Sequence, residues 1–115
     1  MYSETLLEHF QNPRNVGELP LPAITVEVMN PACGDILRLA ALFEGDVVRE
    51  VRFKTRGCSA SIAAGSALTE LMVDKTRAQL ACISAADVEA AVGGLGAESK
   101  HAAVLAVDGI RALLR

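Results

Sequence analysis

At 115 residues, about half of them apolar, the chain has the size and composition of a single domain, residues 1–115, built around one core. A net charge of −3 without any Lys/Arg block, and an aromatic content of only 3%, exclude the usual means of holding a phosphate backbone or stacking on bases, so no nucleic acid is expected. No basic start leads into an apolar run and no stretch of ~18 uncharged apolar residues follows, so no membrane is expected and the chain is expected in the cytoplasm.

Ser3 is placed to cap a first helix with Glu4 in its opening turn, and Leu6 and Phe10 lie one turn apart on its apolar side. His9 falls on the polar side and is expected to be solvated, and the helix stops at NPRN, residues 12–15. After the break at LPLPA, Ile24, Val26 and Val28 alternate with polar residues as in a half-buried strand. Residues 35–55 read as a β-hairpin turning at EGD, with Val51 and Phe53 on one face and Glu50, Arg52 and Lys54 on the other.

From Cys58 the period changes to helical as far as about Val73, with Ile62, Leu68 and Met72 among many alanines. Thr76 before Gln79, and Ser84 before Asp87, are spaced as capping boxes that open two shorter helices. GGLG at residues 93–96 interrupts, and a last helix from near Ser99 carries Ala103, Val107, Ile110 and Leu114 as its apolar stripe. One helix, three antiparallel strands and then several helices make an α+β fold, a small three-stranded antiparallel sheet with helices packed on one face.

The cysteines Cys33, Cys58 and Cys82 form an odd set with no CxxC pair, which argues against a disulfide framework and leaves thiol or metal chemistry open. Cys33 and Asp35 sit two residues apart where a strand begins, so both side chains can project to the same side. Cys58 stands where strand gives way to helix, and His101 lies in the first turn of the last helix. A helix N-terminus favours the thiolate of Cys58 and disfavours protonation of His101, the charge states that metal ligands need. Two thiolates, an imidazole and a carboxylate would satisfy a tetrahedral Zn²⁺ or ligate an iron-sulfur cluster. Taken singly, each cysteine is as readily a buried apolar side chain, His101 a helix-terminal histidine and Asp35 a turn residue. No hydrolytic triad and no carboxylate pair stands out, so no enzyme activity is expected.

Four blocks, YSETLLEHFQNPRNVG, NPACGD, RFKTRGCSASIAAGSALTEL and KHAAVLAVDGI, occur in this order across nearly the whole chain. Together they resemble the U-type iron-sulfur cluster scaffold family, which includes the NifU N-terminal domain and the IscU-like and SufU-like proteins. The resemblance implies an α+β scaffold that assembles a transient [2Fe-2S] cluster, or holds Zn²⁺ in the same pocket. It implies a cysteine desulfurase as sulfur donor and apoproteins as recipients. Carried over by position, Cys33, Asp35, Cys58 and His101 are the ligands of the cluster or metal. Two departures stand out. The family's third cysteine, directly after the histidine, is Ala102 here, and GLGAESK replaces the LPPVK-like segment that a dedicated chaperone reads, so chaperone handoff is not expected. Ala102 motivates an alternative, a degenerate scaffold fold that binds zinc as an interaction or regulatory protein without assembling clusters. Cys82 matches no motif and is expected to pack in the core.

Overall fold

The structure is a computed structural model that describes residues 2–115. In chain order it contains α1 (Glu4–Gln11), β1 (Ile24–Met29), β2 (Ile36–Glu44), β3 (Val47–Arg56), α2 (Ser59–Met72), α3 (Arg77–Ala81), α4 (Ala85–Ala91) and α5 (His101–Leu114). A 3₁₀ turn at Ala97–Ser99 leads into α5. The α+β expectation, with a three-stranded antiparallel sheet, is therefore met in every element. The sheet order is β1-β2-β3, and β2 in the centre pairs antiparallel with both neighbours.

The alternation along the strands decides which face is covered. Leu37, Leu39 and Ala41 of β2, with Val51 and Phe53 of β3, are buried, whereas Arg38, Glu50 and Lys54 point to solvent. Against the apolar face lie α2 and α5, both rich in buried alanine, and each comes up to the sheet at a glycine: a Cβ on Gly65 would fall 2.7 Å from the Phe53 ring and one on Gly109 2.8 Å from Leu37 Cδ2. The absence of a side chain at these two positions lets the helix backbones come close to the sheet. Both capping boxes form, Thr76 with Gln79 on α3 and Ser84 with Asp87 on α4, each worth about 1 kcal/mol to a helix too short to persist alone.

Two local expectations fail. His9 is buried at 7% exposure and Phe10 stands out at 37%, because α1 turns Leu6 and His9 rather than Phe10 toward α2. The buried imidazole is satisfied there. Ser66 Oγ lies 2.8 Å from His9 Nδ1, and Glu70 Oε1 lies 3.5 Å from Nε2. Cys82 is exposed rather than packed in the core. It is the C-cap of α3, a five-residue helix whose buried residue is Leu80, so the chain turns with Cys82 on the outside.

Candidate metal centre

NPACGD is the loop of the β1–β2 hairpin. The N–H of Asn30 donates to the carbonyl of Asp35 at 2.9 Å, and the N–H of Gly34 donates to the carbonyl of Asn30 at 2.7 Å. The Asn30 side-chain oxygen accepts the Ala32 N–H at 2.9 Å, the local bond that makes asparagine a turn residue. Gly34 has φ +77°, a left-handed conformation that glycine adopts without strain, and it folds the loop back so that Cys33 and Asp35 flank it. Cys33 ends up exposed on the turn, whereas Asp35 enters β2 with its side chain buried.

The floor under Asp35 is the β3–α2 connection. A Cβ built on Gly57 would fall 2.4 Å from Asp35 Cγ and 2.7 Å from each carboxylate oxygen, so only a hydrogen fits between backbone and carboxylate. Cys58 follows as the N-cap of α2, and its side chain makes no capping bond, which leaves the thiol free to face the carboxylate. Its Sγ lies 3.6 Å from Asp35 Oδ2 and 3.6 Å from His101 Nε2. His101, the first residue of α5, places Nε2 at 3.5 Å from the same Asp35 oxygen. Ser61, one turn along α2, donates its hydroxyl to Asp35 Oδ2 at 2.6 Å.

Two opposing effects set the charge of Asp35. Burial pushes its pKa up, but the Ser61 hydroxyl, the backbone N–H and thiol of Cys58, and the nearby His101 together outweigh burial and hold it below the ordinary value. The carboxylate is therefore ionised at neutral pH and ready to act as a ligand.

Of the four residues singled out in the sequence, Asp35, Cys58 and His101 meet at contact distance, and Cys33 lies beside Asp35 and His101. One ligand atom each from Cys33, Asp35 and His101 lie within 4.8 Å of one another, and Cys58 closes on the last two. For bonds of ~2.0 to 2.3 Å, the edges of a tetrahedral site are about 3.3 to 3.8 Å long. The three separations among Asp35, Cys58 and His101, 3.5, 3.6 and 3.6 Å, already have that length. Ser61 was not singled out from the sequence. The signal was there in its spacing, since position i+3 from an N-cap cysteine shares that cysteine's face of the helix. Ala102 lies at 1% exposure beside a gap too narrow for water, formed with Leu37, Thr55, Ser61 and Leu105.

The family model described as the NifU-like N terminal domain matches residues 1–115. The chain belongs to this family. Among its relatives, the iron-sulfur cluster assembly scaffold protein IscU 1 of Archaeoglobus fulgidus is 37% identical over 96% of this chain and 72% of its own length. The bifunctional protein NifU/MnmA of Rubrobacter xylanophilus is 42% identical over 95% of this chain, which spans only 23% of that protein. The zinc-dependent sulfurtransferase SufU of Bacillus subtilis is 39% identical over 65% of the chain and 50% of its own length. The NifU-like fold also matches the crystal structure of a candidate iron-sulfur cluster assembly scaffold for the SUF system from Fervidobacterium islandicum AW-1. That match has a TM-score of 0.79 at 22% identity and covers 99% of this chain and 96% of the other. Among the described residues of this NifU-like chain, no helix is long and apolar enough to cross a membrane.

Proposed function

We propose that this protein is a scaffold or carrier of iron-sulfur cluster assembly, with Cys33, Asp35, Cys58 and His101 as the residues that hold iron, a [2Fe-2S] cluster or Zn²⁺. The observation that carries the reading is the triangle of Asp35, Cys58 and His101 at tetrahedral edge lengths, with the thiol of Cys33 beside it. The donor chemistry supports it as well. Two thiolates and an imidazole suit zinc and iron-sulfur centres, and a carboxylate is the weakest, most exchangeable partner among them. Zinc bound there would keep both cysteines deprotonated and the cluster of side chains closed. Its partners in this reading are a cysteine desulfurase and recipient apoproteins, and its compartment is the cytoplasm.

The chain's own residues divide the work. Cys33, exposed on its hairpin, is the thiol a partner can reach, while Asp35 and Cys58 are held at the floor by Gly57 and Ser61. Release of cargo begins most easily at Asp35, whose bond to a soft metal is the weakest of the four.

Ala102 favours a second reading, a zinc protein of this fold that assembles no cluster. The name of the SufU relative, a zinc-dependent sulfurtransferase, adds sulfur relay to what such a protein can do. Anaerobic reconstitution with iron, sulfide and a cysteine desulfurase, followed by absorption spectroscopy and metal analysis, separates the two. A visible cluster band is expected. A colourless protein retaining one equivalent of zinc would overturn the scaffold reading in favour of the second.

A further inference from the structure

We infer that Ser61 is the positioning residue of the site, holding the Asp35 carboxylate where a metal needs it; the inference rests on the reading of Cys33, Asp35, Cys58 and His101 as ligands. A serine in a helix interior ordinarily returns its hydroxyl to a carbonyl of the preceding turn. Ser61, at 3% exposure, sends it across to β2 and donates to Asp35 Oδ2 at 2.6 Å, a length typical of a hydroxyl bound to an anion. The same oxygen of Asp35 faces Cys58 and His101. A carboxylate oxygen accepts more than one bond, so the bond from Ser61 fixes the carboxylate without using up its capacity as a ligand.

The geometry of α2 makes the arrangement more than a single bond. Cys58 at the N-cap and Ser61 one turn on are carried by the same rigid helix, so the thiol and the clamp on the carboxylate keep a constant separation, with Ser61 Oγ 3.4 Å from Cys58 Sγ. A hydroxyl has one proton to give. With that proton committed to Asp35, Ser61 has no hydrogen to give to Cys58 Sγ, so it does not compete with a metal for the sulfur. Gly57 closes the floor below the carboxylate and Ser61 pins it from the helix side, which leaves Asp35 few other places to go. Residues that orient a metal ligand in this way are worth about 10- to 100-fold in metal affinity.

The test is Zn²⁺ affinity, measured by competition with a chromophoric chelator, for the wild type, Ser61→Ala, Asp35→Ala and the double variant. Ser61→Ala is expected to weaken binding by about 10- to 100-fold. In the Asp35→Ala background the same change is expected to do nearly nothing, because the carboxylate it positions is gone. Spectra at saturating Co²⁺ give a second readout, which reports the ligand set of the folded fraction even where the variant is less stable. Ser61→Ala should move the visible bands in the direction that Asp35→Ala does. The positioning role is overturned by a Ser61→Ala affinity within about twofold of wild type, by an equal loss in both backgrounds, or by unchanged Co²⁺ bands. A wild type that binds neither ion overturns the metal site itself, and with it this role.

Discussion

Gly57→Ala should separate the site from the fold. Its new Cβ would sit 2.4 Å from Asp35 Cγ, where ordinary contact begins at 3.4 Å, so one partner has to yield by about 1 Å. The backbone at Gly57 is tied between β3 and α2, and the carboxylate is the end of a rotatable side chain, so Asp35 is the partner that moves. A shift of about 1 Å stretches the 2.6 Å bond from Ser61 to beyond hydrogen-bond length and misaims the oxygen that faces Cys58 and His101. The cost to the fold is that of a crowded contact, about 1–3 kcal/mol. The cost to metal binding is that of a displaced ligand, at least the ~10- to 100-fold expected for losing its support. Chelator competition for Zn²⁺ and urea unfolding in the presence of a chelator measure the two on one sample. Zinc affinity within about twofold of wild type would refute the reasoning, because Asp35 would then be in contact with Gly57 without being a ligand.

Asp35→Ala, if the carboxylate is the exchangeable ligand, should slow the decay of a reconstituted cluster's visible absorbance on transfer to a chelating apoprotein; unchanged or faster decay would show that Asp35 does not set release. His9 makes the fold sensitive to acid. Its pKa is lowered from 6.5 chiefly by burial and next by the charge of Arg14, against the opposing pull of Glu70 and Glu8. The unfolded chain therefore binds the proton more readily, so stability is fully present above about pH 6.5 and declines as the pH falls below it. The difference in urea midpoint between wild type and His9→Gln should shrink between about pH 7.5 and pH 5.5, and a difference that grows would put the sign the other way.

How much of this was legible in the sequence depended on whether the signal was local. Val51 and Phe53 against Glu50 and Lys54 mark a two-faced strand without any help from the rest of the chain, and Thr76/Gln79 and Ser84/Asp87 carry their helix starts within four residues. His9 was misplaced for the opposite reason. In an eight-residue helix the inner face is chosen by what it meets, and the meeting with Ser66 and Glu70 of α2 lies more than fifty residues away. Cysteine's general habit of burial failed for Cys82 because the turn after so short a helix has no interior to offer. The four ligand candidates were carried by family resemblance, since their spacing alone left each of them with a plainer role. Ser61 was lost among small residues in an alanine-rich helix, where a hydroxyl and a methyl look alike until the partner across the gap is known.

The place of Ala102 sharpens what the missing thiol means. The residue is buried at 1% exposure and borders the same narrow gap as Ser61, so it stands behind the site, on the core side of the serine that holds Asp35. The triangle of Asp35, Cys58 and His101 forms without any atom of residue 102, at distances that already suit a metal. In the proposed reading, the metal site therefore does not depend on a side chain at position 102. The thiols left at the site are Cys58, half-buried and ringed by Asp35, Ser61 and His101, and Cys33, exposed on its hairpin, while Cys82, also exposed, belongs to the C-cap of α3. A thiol must be reached by its partner before it can react, and in the proposed scaffold reading Cys33 on the hairpin loop is the more accessible of the two site thiols.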